Sequence, residues 1–436
     1  MDVGPEQSPS TARLPVDPDS FRLRPSLGEL TVMGRRVVGT VVPSGRVRDA
    51  HRWAEQGLSP TQRHLRQAAS GFTDELFLNV IRAMSSKVAV REMDRVLEET
   101  FAALDIYRSR GWLDPGVLHQ TPEAMDATST EITVRGHHWR RLEDRRPWEP
   151  FAESPGAERW LSYPGGSRAV AHVRMHREPR PWLVMVHGAY MGDVKIDTRI
   201  FNVEDLFHRL GFNIALPSLP LHGSRKAKGT LSKSLPSLDT MDNIHGITQA
   251  VHEVRSLLGW IRREQPGQRL GIYGVSLGGY VTSLVAGLEE PLDVLVAGVP
   301  AVDFQAVFLA QTPPSVRMAD WFRAFHAATV ELNRPLSPLA VTPATPVESR
   351  YLYAARGDRV LPPATQALRL WEHWGRPESY WFDGGHVLQV RNAGIRKFVA
   401  RVTARHLLAD DAVVDGNARG PRTPRTPRTR SRSTGR

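Results

Sequence analysis

The stretch Gly271-Ile-Tyr-Gly-Val-Ser-Leu-Gly-Gly-Tyr280 decides how the rest of the chain is read. An apolar run breaks there into Gly274-Val-Ser276-Leu-Gly278, the Gly-x-Ser-x-Gly pattern of a nucleophile elbow. A strand must stop and a helix start within a few residues, with the serine at the tip in a strained backbone conformation. Bulky neighbours would collide in so sharp a turn, and Gly274 and Gly278 meet that demand. The flanks agree. Residues 269–273 predict a short apolar strand, and Gly279-Tyr-Val-Thr-Ser-Leu-Val-Ala-Gly287 predicts a small-residue helix able to lie close on a sheet.

A serine hydroxyl is a poor nucleophile at neutral pH. It needs a base within hydrogen-bond reach, and the base needs a carboxylate to hold its tautomer. In the strand–elbow–helix architecture the chain order is Ser, then Asp or Glu, then His. Two later segments fit. Ser349-Arg-Tyr-Leu-Tyr-Ala-Ala355 reads as a strand and runs into Arg356-Gly-Asp358-Arg-Val-Leu-Pro362. Glu378-Ser-Tyr-Trp-Phe382 reads as a strand and runs into Asp383-Gly-Gly-His386. Each sets its polar residue just past the carboxyl end of a strand, where an open parallel sheet gathers its site. Asp303, after the apolar run 295–299, is the rival acid to Asp358.

With these three motifs in order, the chain resembles the α/β-hydrolases, specifically the serine esterases and lipases, over roughly residues 130–408. The family's elbow falls on Gly274 to Gly278, its acid motif on Gly357-Asp358-Arg-Val360, and its terminal Gly-His on Gly385-His386. The resemblance implies an α/β fold: a mostly parallel central sheet flanked by helices. It implies one oxyanion donor at the amide of Leu277. The other lies in the loop after Pro181-Trp-Leu-Val-Met-Val186, namely His187-Gly-Ala-Tyr-Met-Gly192. The position after His-Gly is Ala189, with Tyr190 as the alternative. His187 itself reads as structural. Residues 304–342 sit where the family inserts a cap. Phe304, Val307, Phe308, Trp321, Phe322 and Phe325 would give that cap an apolar underside, or serve simply as core. The turn His222-Gly-Ser224 is either a pocket border or a surface loop.

The expected reaction is cleavage of a carboxylic ester or thioester by Ser276, with His386 as base and Asp358 as its orienting acid. An acyltransferase using the same groups and a non-catalytic binding module of the same fold are the alternatives. A serine at the tip argues against the branches that resemblance says use a carboxylate there. No cofactor and no metal are expected. The chain has no Cys, no His-Glu-x-x-His and no Gly-x-x-x-x-Gly-Lys-Ser/Thr.

The formal net charge of +11 would suggest nucleic acid were it spread over the surface. Seven of those charges are arginines between Arg419 and Arg436, so the other residues carry only +4. Specific nucleic-acid binding is therefore not expected. The tail is either a salt-sensitive tether to polyanions or a solvated segment without a partner. No apolar run is long enough to cross a membrane, and residues 1–7 lack the basic and apolar regions of a secretory signal. A cytoplasmic protein acting on a small ester or acyl substrate is expected. The domain reading is a disordered or extended segment 1–43 and a helical extension 44–129 packed on the core. The hydrolase domain follows at 130–408, and a disordered Arg/Pro/Thr-rich tail occupies 409–436. Within the extension, the apolar spacing over 77–84 and 93–104 predicts two or three short amphipathic helices.

Overall fold

The computed structural model describes residues 60–163, 166–226, 235–312 and 314–408. The segments 1–43 and 409–436 lie outside the described residues. Five strands in the middle of the chain are buried at every position: β4 (Trp182–Val186), β5 (Asn213–Ser218), β6 (Leu270–Val275), β7 (Val294–Gly298) and β8 (Arg350–Ala355). Near-continuous apolar runs of this kind belong to parallel strands covered on both faces. With β1 (Ala127–Val134), β2 (His137–Pro147), β3 (Arg168–Arg174) and β9 (Ser379–Phe382) they form one nine-stranded sheet of order β1-β2-β3-β5-β4-β6-β7-β8-β9. From β5 to β9 every pairing is parallel, and β1, β2 and β3 run antiparallel along one side.

The period-2 geometry of a strand divides the core into two layers. In β4, Trp182, Val184 and Val186 face one apolar cluster while Leu183 and Met185 face the other. The first layer lies under α5 (Thr240–Glu264) and α6 (Leu277–Leu288), where Ile244, Ile247, Val251, Val254, Leu258 and Ile261 recur at helical spacing and are all buried. The second lies under α4 (Val194–Ile200) and α11 (Ala393–Leu407).

Strand β2 escapes the sequence reading. Its residues, His-His-Trp-Arg-Arg-Leu-Glu-Asp-Arg-Arg-Pro, look like surface chain. It forms because Arg135 and Gly136 both take positive φ (53° and 83°) in a two-residue turn that reverses β1 onto β2. Trp139 and Leu142 are buried while the charged positions around them are largely part-exposed.

The stretch expected to hold two or three short helices is, over its described residues, one helix, α1 (Pro60–Arg110). After Pro60 at its first position the helix contains no proline to break it. At 1.5 Å per residue it runs roughly 75 Å, and a helix of such weak amphipathicity depends on tertiary contacts. Several lie in its C-terminal third. Arg95 donates to Asp239, the residue capping α5, at 2.7 Å. The Tyr107 hydroxyl lies 2.9 Å from Ser154, and Arg108 pairs with Glu331 of α9 (Asp320–Leu332). Gly111 and Asp114-Pro115 then end the run, with α2 (Pro115–Leu118) starting on the Asp114 cap.

Buried charge closes the end of β5. Arg225 donates to both Glu253 oxygens, at 2.5 and 2.8 Å, and also to the carbonyls of Ser218 and Gly166. Arg225 and Glu253 are buried, so removing one partner strands a charge. Glu253→Ala is expected to lower unfolding stability by about 3–5 kcal/mol, read from the denaturant midpoint. A loss below about 1 kcal/mol would mean the pair is dispensable.

Candidate active site

The chain leaves β6 and turns into α6 at Ser276, whose backbone stands at φ 58° and ψ −116°. That is a rare region for a residue with a Cβ, and it persists only where the surroundings enforce it. Here they do. The Ser276 amide donates to Gly298 O on β7 at 2.9 Å, and the Ser276 carbonyl accepts from Ala301 and Tyr280. The two glycines are sterically required. A Cβ on Gly274 would lie 2.1 Å from the Gly278 carbonyl oxygen, and one on Gly278 would lie 2.0 Å from that of Val186.

Two loops from the carboxyl ends of β8 and β9 reach this serine. His386 Nε2 lies 3.0 Å from Ser276 Oγ, and His386 Nδ1 lies 2.7 Å from Asp358 Oδ2. A carboxylate only accepts, so Nδ1 carries the hydrogen and Nε2 presents its lone pair to the serine hydroxyl. The other Asp358 oxygen accepts from the Leu361 amide at 2.7 Å, which fixes the carboxylate plane. Asp358 and His386 are buried and Ser276 is half-buried. Burial lowers the affinity of His386 for a proton. The charge and hydrogen bond of Asp358, with the charge of Asp74, outweigh it and hold the imidazole above its ordinary value. Asp303 takes another task. It caps α7 (Phe304–Gln311) through the Ala306 amide and pairs with Arg369.

Leu277 opens α6, so its N–H is among the amides that have no intrahelical partner. The loop after β4 faces it: a Cβ on Gly188 would lie 3.3 Å from Ser276 Cβ. Ala189 follows half-buried, and Tyr190 is exposed at φ 64°. His187 anchors this loop. Its Nε2 accepts from the Leu219 amide at 3.0 Å, so its Nδ1–H donates to Gly188 O at 2.8 Å. Burial, with His222 nearby, lowers its pKa to about 3 and keeps it neutral.

The family model "Alpha/beta hydrolase domain containing 18" matches residues 143–307, a span that includes the elbow and stops short of Asp358 and His386. Among curated proteins, "Uncharacterized protein MT2702" of Mycobacterium tuberculosis (strain CDC 1551 / Oshkosh) is 37% identical over 345 residues, 79% of this chain and 83% of the relative. "Uncharacterized protein Rv2627c" of strain ATCC 25618 / H37Rv is 36% identical over the same shares. The chain belongs to the α/β-hydrolase family. Solved structures with a similar trace include acetyl xylan esterase 1 from Thermoanaerobacterium sp. JW/SL YS485 (16% identity, 72% of this chain, 93% of that one, TM-score 0.43). Another is an acetyl xylan esterase from Paenibacillus sp. R4 (14%, 66%, 92%, TM-score 0.46).

Other parts of this α/β-hydrolase clarify the sequence reading. The His222 turn is anchored from within although Ser224 at its tip is exposed. His222 is buried, its ring centroid 5.0 Å from that of His187, so it backs the Gly188–Gly192 loop. Over the 304–342 stretch, α7 and α9 carry half-buried aromatics on either side of the short α8 (Pro314–Met318), and Phe304 of α7 meets Tyr280 of the elbow helix with ring centroids 4.7 Å apart. Among the described residues, His137, Glu204 and His208 come close enough to hold a metal. Arg174 donates to both imidazoles at 3.1 Å and to Glu204, so a cation there would meet a fixed guanidinium. No helix among the described residues is long and apolar enough to cross a membrane. The sequence reading misses Asp74 altogether. This acid of α1 lies fully buried against the His386 loop, and nothing in the local sequence distinguishes it from the other acids of α1.

Proposed function

We propose that this α/β-hydrolase is a serine hydrolase that cleaves a carboxylic ester or thioester through an acyl-enzyme. The supporting observation is the hydrogen-bonded line from Ser276 Oγ through His386 to Asp358, at 3.0 and 2.7 Å. In this reading Ser276 Oγ attacks the carbonyl carbon while His386 Nε2 takes its proton. The oxyanion is met by the amides of Leu277 and Ala189. His386 then hands the proton to the departing alcohol or thiol, and the acyl group stays on Ser276. Water attacks next, with His386 again as base, and the acid leaves. A fluorophosphonate probe tests the assignment: covalent labelling of Ser276, found by peptide mass, supports it. Folded protein that takes up no label would instead be a binding module. A series of p-nitrophenyl esters of rising acyl length then reads the substrate class.

The base must be neutral to work. Because its pKa is held above 6.5, activity falls on acidification at a pH higher than that of an ordinary imidazole. The acid limb of kcat/KM is expected to have its midpoint above 6.5. A midpoint at or below 6.5 would mean that the charges around His386 do not act as described.

A further inference from the structure

We infer that Asp74 is a positioning residue for His386 and Asp358, so that the amino-terminal helix is a working part of the active site. The inference rests on the serine-hydrolase reading. One carboxylate bridges the two loops that carry the acid and the base. Asp74 Oδ2 accepts from the His386 amide at 2.8 Å and from the Arg359 amide at 3.1 Å, and Oδ1 accepts from the Val387 amide at 3.0 Å. The first of these amides belongs to the base itself. The second belongs to the residue directly after the acid. A single oxygen thus ties both ends of the His386–Asp358 hydrogen bond to α1.

The contact is close by construction. A Cβ on Gly385 would lie 2.6 Å from Asp74 Oδ2, so only glycine lets the loop settle onto the carboxylate. The next residue, Glu75, pairs with Arg359 at 2.9 Å, both buried. One turn along from Asp74, Phe77 meets the exposed Tyr190 of the loop after β4 edge-on, with centroids 5.9 Å apart. Residues 74–77 therefore touch all three loops around Ser276.

Burying a carboxylate is costly unless it is hydrogen-bonded, and three backbone donors meet that cost here. Burial and the charge of Asp358 push Asp74 up, while His386 and the two loop amides pull it down, leaving it at about 6. Near neutral pH it is mostly ionised. The groups facing His386 are then Asp358 from its own sheet edge and Asp74 from α1, with the Glu75–Arg359 pair behind the latter. Each time His386 takes the proton of Ser276, the new imidazolium is hydrogen-bonded to Asp358 and favoured by the charge of Asp74.

The test is Asp74→Asn in the full chain, followed with a p-nitrophenyl ester and by fluorophosphonate labelling. The one carbonyl oxygen left by this substitution cannot serve donors on both sides, and the new side-chain amide presents hydrogen to a backbone N–H. A loss of about 10²-fold in kcat is expected with KM little changed, the scale of a misplacement of reacting groups by about 1 Å. The acid limb is also expected to move to lower pH, because one charge favouring the imidazolium is gone. A purely structural residue would not move that limb. Wild-type kcat with an unmoved limb overturns the inference. Wild-type protein that fails to label at Ser276 overturns the parent reading instead. If Asp74→Asn shows no cooperative thermal transition, Gly385→Ala replaces it. That change drives the carboxylate off the loop and keeps every ionisable group. A folded Gly385→Ala protein with wild-type kcat overturns the inference equally.

Discussion

Ser276→Ala is expected to lower kcat on an activated ester by roughly 10⁴- to 10⁶-fold, the range seen when a nucleophile is removed from a group that acts as a unit. The size follows from what is lost. Without Oγ no acyl-enzyme can form, and His386 Nε2 has no hydroxyl 3.0 Å away to deprotonate. What remains is binding, oxyanion stabilisation and direct attack by water. The fold should survive. The strained backbone at φ 58° is set by the amide bond to Gly298 O and by the close approach of Gly274 and Gly278, none of which involves the side chain. Alanine has a Cβ of the same size at the same place. The measurements are kcat by p-nitrophenolate release and the thermal midpoint of each protein. A variant that folds and retains turnover within about tenfold of wild type would remove Ser276 from the mechanism, whatever its geometry.

The buried half of this molecule is legible in its sequence for a physical reason. Strands β4 to β8 are sealed on both faces, so they appear as apolar runs, and a run that ends in glycine and a polar residue marks the sheet edge where a site collects. Ser276, Asp358 and His386, which the structure brings together, each follow such a run. Strand β2 fails that test because one side of its hairpin meets water, so its Arg and Glu side chains mask the alternation. Helix α1 fails differently. Its apolar spacing is visible in two patches, and the polar stretch Ser85-Ser-Lys87 between them hides that the helix runs on unbroken. Asp74 is the extreme case. Its partner amides lie 285 to 313 residues away, and no pattern within α1 points to them. The ionisation of His386 is equally out of reach. An unperturbed imidazole is the natural expectation, and the upward shift arises only where two carboxylates from separate elements converge.

Asp358→Asn is the second large effect, and the surrounding bonds explain why so small a change should matter. Asp358 has two oxygens and two donors: Leu361 N–H at 2.7 Å on Oδ1 and His386 Nδ1–H at 2.7 Å on Oδ2. Asparagine keeps only one oxygen. The rigid backbone amide of Leu361 claims it, which leaves the asparagine NH₂ aimed at His386 Nδ1. A donor there forces Nδ1 to become the acceptor, and the ring hydrogen moves to Nε2. Nε2–H cannot take a proton from Ser276. A fall in kcat of about 10⁴-fold is expected, with the overall geometry intact. Asp303→Asn is the control that separates the two candidate acids. Asparagine caps a helix as well as aspartate does, so the α7 start through Ala306 N–H is kept and only the half-exposed pair with Arg369 is lost. Turnover in that variant should stay within about threefold of wild type, because the lost pair with Arg369 touches none of Ser276, His386 and Asp358 and is partly solvent-screened. If the two outcomes are exchanged, so that Asp303→Asn abolishes turnover and Asp358→Asn spares it, the carboxylate that orients His386 during reaction is not the one hydrogen-bonded to it at rest.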